Sequence, residues 1–155
     1  MTPTIRRAGI QDVDALVDLM QAFYAEADFE LARDPAAGAF RTVLAEPGVG
    51  HVWMAFRDDV PVGYLVLTLG FSMEFGGTRG YVDDFFVLAS ERGKGVGAAV
   101  LRAVRQEAGA LGILCLTVET GLEGHLARHL YMREGYEDVG RGVLNQPLGP
   151  ALHER

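Results

Sequence analysis

The sequence predicts an α/β fold in which a mixed sheet of six to seven strands is flanked by about four helices. Two apolar stretches, His51–Phe56 and Val60–Leu69, are joined by a short polar turn, which is typical of a hairpin. An aromatic and β-branched stretch, Tyr81–Leu88, leads through a glycine-rich loop into an amphipathic helix. The apolar run Ile113–Val118 follows that helix and has the composition of a central strand covered on both faces.

The other elements follow from residue spacing and from turn residues. Apolar residues at three- and four-residue spacing between Val13 and Met20 predict a helix that starts at Gln11 or Asp12. Gly135 suits the left-handed residue that follows the last helix. The remaining predicted elements are a strand at Thr4–Ala8, a short helix from about Pro35 to Leu44, the last helix at about Glu123–Glu134, closing strands between Tyr136 and Leu148, and a flexible tail over residues 149–155. The sequence contains neither repeats nor linkers, so we expect one domain over residues 1–155.

The composition limits the classes of partner. The 155 residues carry a net charge of −7, from 14 basic and 21 acidic residues. Because nucleic acids and anionic membranes attract basic surfaces, we expect neither as a partner. The single cysteine, Cys115, excludes an internal disulfide, and the lack of a transmembrane-length apolar run or a signal peptide predicts a cytoplasmic protein. His125 and His129 are four residues apart without an evident third ligand, so we expect no metal site.

Three glycines, Gly93, Gly95 and Gly97, occupy alternate positions between the strand Tyr81–Leu88 and the helix that follows it, with Lys94 between the first two. The first N–H groups of a helix have no internal partner, and the helix macrodipole adds partial positive charge there. Glycines also allow a phosphate group to approach the main chain closely. The loop is therefore a candidate binding site for a diphosphate group.

Two families of protein use such a loop. The spacing Gly93-x-Gly95-x-x-Ala98, with Glu119 about 20 residues further on, fits a dinucleotide-binding oxidoreductase. The spacing Arg92-x-x-Gly95-x-Gly97 instead resembles the R/Q-x-x-G-x-G/A signature of the GNAT family of N-acetyltransferases. In that family the loop holds the pyrophosphate of acetyl-CoA.

Three features favour the resemblance to the GNAT family. Four residues separate the strand from the first glycine, whereas a dinucleotide fingerprint begins at the end of the strand. Two basic side chains, Arg92 and Lys94, flank the loop and suit a highly charged ligand. Two adjacent carboxylates, Asp83 and Asp84, lie inside the strand, where a purely structural strand seldom places them.

The resemblance extends over Ile5–Leu148 and is most specific in the second half of the chain. The stretch Tyr81–Val87, Y-V-D-D-F-F-V, is similar to that of the diamine and spermidine/spermine acetyltransferases and of bacterial GNAT proteins of unassigned substrate. The stretch Ala127–Tyr136 matches the family's A-x-x-L-Y-x-x-x-G-F/Y. Gly124 stands near the position where the family usually has Asn, so the contact of that side chain to the pantetheine arm does not carry over.

The resemblance implies roles for particular residues. Asp83 takes the position of the family's proposed base, and Asp84 then binds a substrate cation or supports the structure. Neighbours on a strand point to opposite faces, so only one of the two enters the cleft unless a bulge intervenes. The resemblance implies that Tyr131 is the acid that protonates the departing thiolate. The alternative is that Tyr131 only packs in the core. The implied coenzyme-binding residues are Phe85, Phe86, Val87, Arg92, Gly93, Lys94, Gly95, Val96, Gly97, Ala98, Gly124 and Arg133.

The sequence thus predicts an enzyme that moves the acetyl group of acetyl-CoA directly to a primary amine of a small, polyamine-like or amino-acid-like molecule. Candidate acceptor-binding residues are Tyr24, Glu26, Asp28 and Glu74. The alternatives are a non-catalytic acyl-CoA-binding module and, ranked lower, a nucleotide-dependent oxidoreductase. Similar proteins commonly form homodimers through their late strands, so a homodimer is an expectation here as well.

Overall fold

The computed structural model of the protein describes residues 2–121 and 125–154. Its strands are β1 (Thr4–Arg7), β2 (Glu30–Leu31), β3 (Gly50–Arg57), β4 (Val60–Ser72), β5 (Gly77–Val87), β6 (Cys115–Val118) and β7 (His153–Glu154). Its α-helices are α1 (Val13–Glu26), α2 (Arg33–Ala45), α3 (Val96–Ala110) and α4 (His125–Arg133). No helix within the two described ranges combines the length and apolarity needed to cross a lipid bilayer.

Five strands form the main sheet in the order β1-β3-β4-β5-β6. All neighbouring strands are antiparallel except β5 and β6, which are parallel and are connected through α3. The α/β class and the mixed direction of the sheet are therefore confirmed. The sheet has fewer strands than the six to seven expected.

The difference in strand number arises after α4. Between Tyr136 and Leu148, where closing strands were expected, the structure has no strand. Gly140 has a φ of 70°, and its N–H donates a 2.8 Å hydrogen bond to the Asp138 carboxylate, so the chain turns there. Glycine weakens a strand interior and proline cannot donate to a strand ladder, and this segment contains both residue types. The expectation of closing strands was wrong for this reason.

The C-terminal segment does not form the loose tail that was expected from its composition. The backbone of β7 pairs antiparallel with β2, Glu30 with Glu154 and Leu31 with His153. The N–H of Ala32 also donates a 3.1 Å hydrogen bond to the carbonyl oxygen of Leu152, whose side chain packs against the core. Residues 152–154 therefore return to the corner between α1 and α2.

The main sheet separates two hydrophobic cores. Because side chains alternate along a strand, each long strand contributes to both cores. The core beneath α1 and α2 includes Leu16, Val17, Met20, Phe40, Val52, Met54, Tyr64, Val66 and Phe86. The core beneath α3 and α4 includes Trp53, Ala55, Leu65, Leu67, Val82, Val100, Leu101, Val104 and Tyr131.

A bulge in β5 changes which residues face each core. Val66 of β4 pairs with Asp84, and the next residue of β4, Leu67, pairs with Val82, so Asp83 is the extra residue. Without a bulge, Val82 and Phe86 would share a face. With it, Val82 faces the core under α3, and Phe86 faces the core under α1.

Strands β5 and β6 separate beyond the bulge. Their parallel pairing runs from Arg79 with Cys115 to Val82 with Val118, but β5 continues to Val87. Among the described residues, no strand pairs with this part of β5 on the side of β6. The edge of β5 from Asp83 to Val87 therefore borders a gap in the sheet.

Candidate active site

The glycine loop that follows β5 leads directly into α3. Gly93 and Gly95 have φ angles of 74° and 84°, in the left-handed region that side chains with a Cβ rarely adopt. Gly95 is the N-cap of α3, and no side chain of the described residues caps this helix start. The first N–H groups of α3 are therefore not covered by a capping side chain, as a diphosphate site requires.

The third glycine of the loop has a packing role. A Cβ on Gly97 would lie 2.9 Å from Cδ2 of Leu130 and 3.5 Å from Cζ of Phe85. Gly97 therefore allows α3 to approach both α4 and the end of β5, so the loop lies next to the gap between β5 and β6. Val96 is buried beneath the helix start.

The two basic side chains of the loop already contact acidic ones. Nη2 of Arg92 lies 2.8 Å and 2.7 Å from the two carboxylate oxygens of Glu26, at the end of α1. Nε of Arg92 donates a 2.9 Å hydrogen bond to the carbonyl oxygen of Val87. Nζ of Lys94 lies 3.9 Å from Glu91 and remains largely exposed. The structure thus connects a predicted coenzyme-binding residue, Arg92, with a predicted acceptor-binding residue, Glu26.

The aspartate pair lies on the side of the sheet that α1 and α2 cover. Asp83 is exposed at the bulge, whereas Asp84 is partly buried and accepts a 3.0 Å hydrogen bond from the hydroxyl group of Tyr64. Burial raises the pKa of Asp84 to about 6, the hydrogen bond from Tyr64 lowers it, and the charge of Asp83 raises it. Asp84 therefore titrates close to neutral pH, which suits a group that accepts and releases a proton.

Two tyrosines lie near the aspartate pair. Tyr24, at the end of α1, has its pKa raised to about 12 by burial and by the charges of Asp84 and Asp83. The pKa of Tyr64 is also raised, first by burial and then by Asp84. Asp84 pairs with Val66 and shares a face of β5 with Phe86, so it lies on the side of the core under α1 and α2, and Asp83 occupies the bulge beside it. Asp28, with a φ of 59°, is exposed in the turn after α1.

Tyr131 approaches from the opposite side of the sheet. It is 8% exposed on α4 and packs against Phe85 and Tyr136, with ring centroids 6.2 Å and 5.4 Å away. Burial raises the pKa of Tyr131 to about 12. Tyr131 and Asp84 therefore belong to opposite faces, and both lie close to the part of β5 that borders the gap.

A large cavity runs along the edge of β6 that no strand of the described residues pairs with. Its volume is about 1320 Å³, and its lining includes Tyr131, Val118 and Glu119. Neither the aspartate pair nor the glycine loop lines it. This cavity therefore adjoins the candidate acid and lies apart from the rest of the site.

The remaining predicted site residues have different environments. Glu74 lies in the β4–β5 turn, where Arg79 and Arg141 lie within 3.4 Å of its carboxylate. Gly77 and Asp84 are seven residues apart on β5, so Glu74 is roughly 20 Å from the aspartate pair at about 3.3 Å per residue. Arg133 is exposed in the last turn of α4. Gly124 lies outside the described residues.

Sequence reasoning missed Tyr64. A buried tyrosine usually has a hydrogen-bond partner, so a tyrosine inside a predicted buried strand was a signal for a nearby polar group. Tyr64 lies among apolar residues, which indicated only a packing role. Within the described ranges, no group of three or more His, Cys, Asp or Glu side chains could hold a metal ion.

The comparisons with known proteins identify an acetyltransferase that uses acetyl-CoA. A family model described as "Acetyltransferase (GNAT) family" matches residues 13–136. The chain belongs to this family, and it is therefore an enzyme of the acyltransferase class. The family assignment also decides against a dinucleotide-dependent oxidoreductase.

Particular relatives support the assignment. An uncharacterized N-acetyltransferase of Bacillus subtilis, YhfO, is 30% identical over 134 residues, which are 86% of this chain and 89% of the relative. The integron cassette protein HFX_CASS3, from the mobile metagenome of Cole Harbour Salt Marsh, is 48% identical. Its crystal structure has a TM-score of 0.88, with 96% of this chain and 92% of that chain covered.

The fold is also similar to that of an aminoglycoside acetyltransferase. AAC(6')-Iy in complex with a CoA-linked bisubstrate analogue has a TM-score of 0.81, with 95% of this chain and 99% of that chain covered. Its sequence identity is 16%, so this likeness shows the fold alone.

Proposed function

We propose that this enzyme transfers the acetyl group of acetyl-CoA directly to a primary amine of a small cationic molecule. The observation that carries the proposal is the partly buried carboxylate of Asp84, on the strand that borders the gap between β5 and β6. Acetyl-CoA supplies an activated acetyl group as a thioester. The residues around the gap then need to hold the coenzyme, remove a proton from the amine and protonate the leaving sulfur.

The loop and the end of β5 fit the coenzyme. The N–H groups at the start of α3 would bind the diphosphate. The N–H of Leu88 donates a 2.8 Å hydrogen bond to Val62 on β4, and backbone groups alternate along a strand, so the N–H of Val87 points toward the gap. There it can bind the pantetheine arm or stabilise the negative charge that develops on the thioester oxygen. Phe85 and Phe86 contribute through packing, one on each face of the sheet.

We assign the role of base to Asp84, whereas the resemblance had favoured Asp83. An alkyl ammonium has a pKa of about 10.4, so the amine must lose a proton before it attacks the thioester. Desolvation in the cleft lowers the pKa of the ammonium group and, at Asp84, raises that of the carboxyl group to about 6. The two values approach each other, which favours proton transfer. Asp83 is exposed at the bulge and supplies negative charge for the incoming cation.

Tyr131 is the proposed acid. Its raised pKa keeps the phenol protonated throughout the physiological range, so its hydroxyl carries a proton for the sulfur as the carbon–sulfur bond breaks. The same raised pKa makes the phenol a weaker acid than a thiol, so solvent must return a proton to the phenolate to complete the transfer. The transfer needs no acyl-enzyme intermediate, because the residues assigned here act on protons only. Met132 and Arg133, which follow Tyr131 on α4, are exposed and have no role in this scheme.

Acidic groups around the acceptor cleft support a cationic acceptor. Asp83 is exposed at the bulge, and Glu26 and Asp28 are exposed at the end of α1 and in the turn after it. A polyamine or a basic amino acid carries a second positive charge that these carboxylates can bind. Glu74 lies too far along β5 to contribute, so we leave it out of the proposed acceptor site.

A homodimer through the late part of the chain is also proposed. Within the part of the chain that the structure describes, strand β6 has a partner on one side only, and Leu144 and Leu148 are 100% and 96% exposed in the nearby segment. Pairing of two copies along β6 would cover apolar surface that is otherwise in water. Light scattering coupled to size-exclusion chromatography should give twice the chain mass for wild type, and a Leu144→Asp variant should give the mass of one chain.

The cytoplasmic location stays a prediction.

The test of function is thiol release from acetyl-CoA with a panel of amines that includes putrescine, spermidine and lysine. Turnover with at least one primary amine supports the proposal, and an Asp84→Asn variant should lose most of it while Asp83→Asn retains more. If the protein binds CoA but turns over no amine of the panel, the proposed class of acceptor is wrong. If it does not bind CoA, the coenzyme site is assigned wrongly.

A further inference from the structure

The side chain of Arg92 is fixed by contacts on three sides. Its Nη2 contacts both carboxylate oxygens of Glu26, its Nε contacts the carbonyl oxygen of Val87, and its guanidinium lies 5.4 Å from the centre of the Phe86 ring. These contacts direct the guanidinium from the glycine loop toward the end of α1. The basic side chain that the signature supplies for phosphate is thus already paired with a carboxylate.

Glu26 lies beside both ligand sites. It contacts the loop through Arg92, whose guanidinium lies over the ring of Phe86, and Phe86 lies on the same face of β5 as Asp84. Both members of the ion pair are roughly half-exposed, so the pair is accessible to ligands and is weak enough to exchange partners. A phosphate and a carboxylate offer the same planar guanidinium similar oxygen acceptors, so they compete for it.

We propose that the Glu26–Arg92 pair couples the coenzyme site to the acceptor site. In the empty enzyme the carboxylate of Glu26 pairs with the guanidinium of Arg92. The phosphate groups of CoA then take the place of that carboxylate. The released carboxylate then adds a negative charge to the acceptor cleft, beside Asp83, and binds the cationic group of the amine. This inference rests on the proposed function, because it assumes CoA at the loop and an amine near Asp84.

The coupling is reciprocal by thermodynamic necessity. A cation bound at Glu26 weakens its hold on Arg92 and so strengthens CoA binding. CoA binding in turn strengthens the binding of the cation. Glu26 is therefore a positioning and specificity residue, and it makes the coenzyme and a cationic acceptor bind cooperatively.

Isothermal titration calorimetry with CoA tests the competition directly. We expect Glu26→Gln to bind CoA about two- to fivefold more tightly than wild type, the range that corresponds to the strength of an exposed ion pair. Asp18→Asn is the matched control, because Asp18 lies on the same helix in an exposed ion pair with Arg33 and the charge change is identical. That variant should bind CoA as wild type does. Equal or weaker binding by Glu26→Gln overturns the proposal.

Two further measurements separate competition from other causes. In an Arg92→Gln background, Glu26→Gln should no longer tighten CoA binding, since no guanidinium remains to compete for. Spermidine, used as the probe amine at constant ionic strength, should tighten CoA binding more in wild type than in Glu26→Gln. An equal effect in both proteins overturns the coupling. Failure of wild type to bind CoA at all would instead contradict the proposed function, so the two failures are distinguishable.

Discussion

The hydroxyl group of Tyr64 donates a 3.0 Å hydrogen bond to the carboxylate of Asp84. Tyr64 is 0% exposed, and its ring lies edge-on to Phe40 and tilted against Phe86, so its position is fixed by the core under α1 and α2. The bond favours the ionised form of Asp84, whereas burial favours the protonated form. The pKa of Asp84 is the balance of these two effects, and it can be shifted by changing either one.

Replacing Tyr64 with phenylalanine should move the pH dependence of the reaction. The change removes the hydrogen bond that lowers the pKa of Asp84 and leaves the aromatic packing in place. A hydrogen bond to a charged group contributes about 1.5–3 kcal/mol, which corresponds to about one pH unit or more. We expect the acid limb of kcat/KM near pH 6 in wild type and at higher pH in the variant. A limb that stays in place would show that Asp84 is not the titrating base.

Replacing Asp84 with asparagine should stabilise the protein at neutral pH while it removes activity. The pKa of Asp84 in the folded state is about 6 and its ordinary value is 3.8, so folding favours the protonated carboxyl group. Stability is therefore lost as the pH rises from about 4 through 6, and it stays lower above that range. At about 1.4 kcal/mol for each pH unit, the effect has an upper limit of about 3 kcal/mol.

Urea denaturation at pH 4 and at pH 7.5 measures the effect of this substitution. Asp84→Asn should raise the free energy of unfolding at pH 7.5 and change it little at pH 4. Asp83→Asn is the matched control, because Asp83 is exposed and should alter stability little at either pH. A loss of stability at pH 7.5 in Asp84→Asn would mean that the carboxylate is held by favourable contacts that outweigh its burial.

Replacing Tyr131 with phenylalanine should lower kcat and leave CoA binding unchanged. A positioned proton donor typically contributes about 100-fold or more to the rate. Tyr136→Phe is a suitable control, because Tyr136 packs against Tyr131, and its hydroxyl is buried without a hydrogen-bond partner among the described residues. Steady-state thiol release and calorimetry with CoA measure the two effects. Equal rates for the two variants would show that Tyr131 only packs.

Local sequence patterns predicted much of the fold but could not predict the orientation of the aspartates. Residue spacing together with turn residues located the four α-helices of the described residues and the long strands, and alternate glycines located the start of α3. The bulge at Asp83 depends on the pairing of β4 with β5, so alternation within β5 gives no sign of it. The bond from Tyr64 to Asp84 joins residues 20 positions apart, so it too exists only once the strands have paired.

Replacing Gly95 with alanine should weaken CoA binding and destabilise the protein. Gly95 has a φ of 84°, and the left-handed conformation costs a residue with a Cβ about 1–2 kcal/mol. No heavy atom lies within 4 Å of the position that a Cβ on Gly95 would take, so the cost is conformational and not steric. Gly38→Ala is the contrasting control, because Gly38 lies inside α2 with similar open space and alanine is favoured there by about 1 kcal/mol. Thermal unfolding should show opposite shifts for the two variants, and calorimetry should show weaker CoA binding for Gly95→Ala alone. If Gly95→Ala binds CoA normally, the main chain at the start of α3 does not hold the diphosphate.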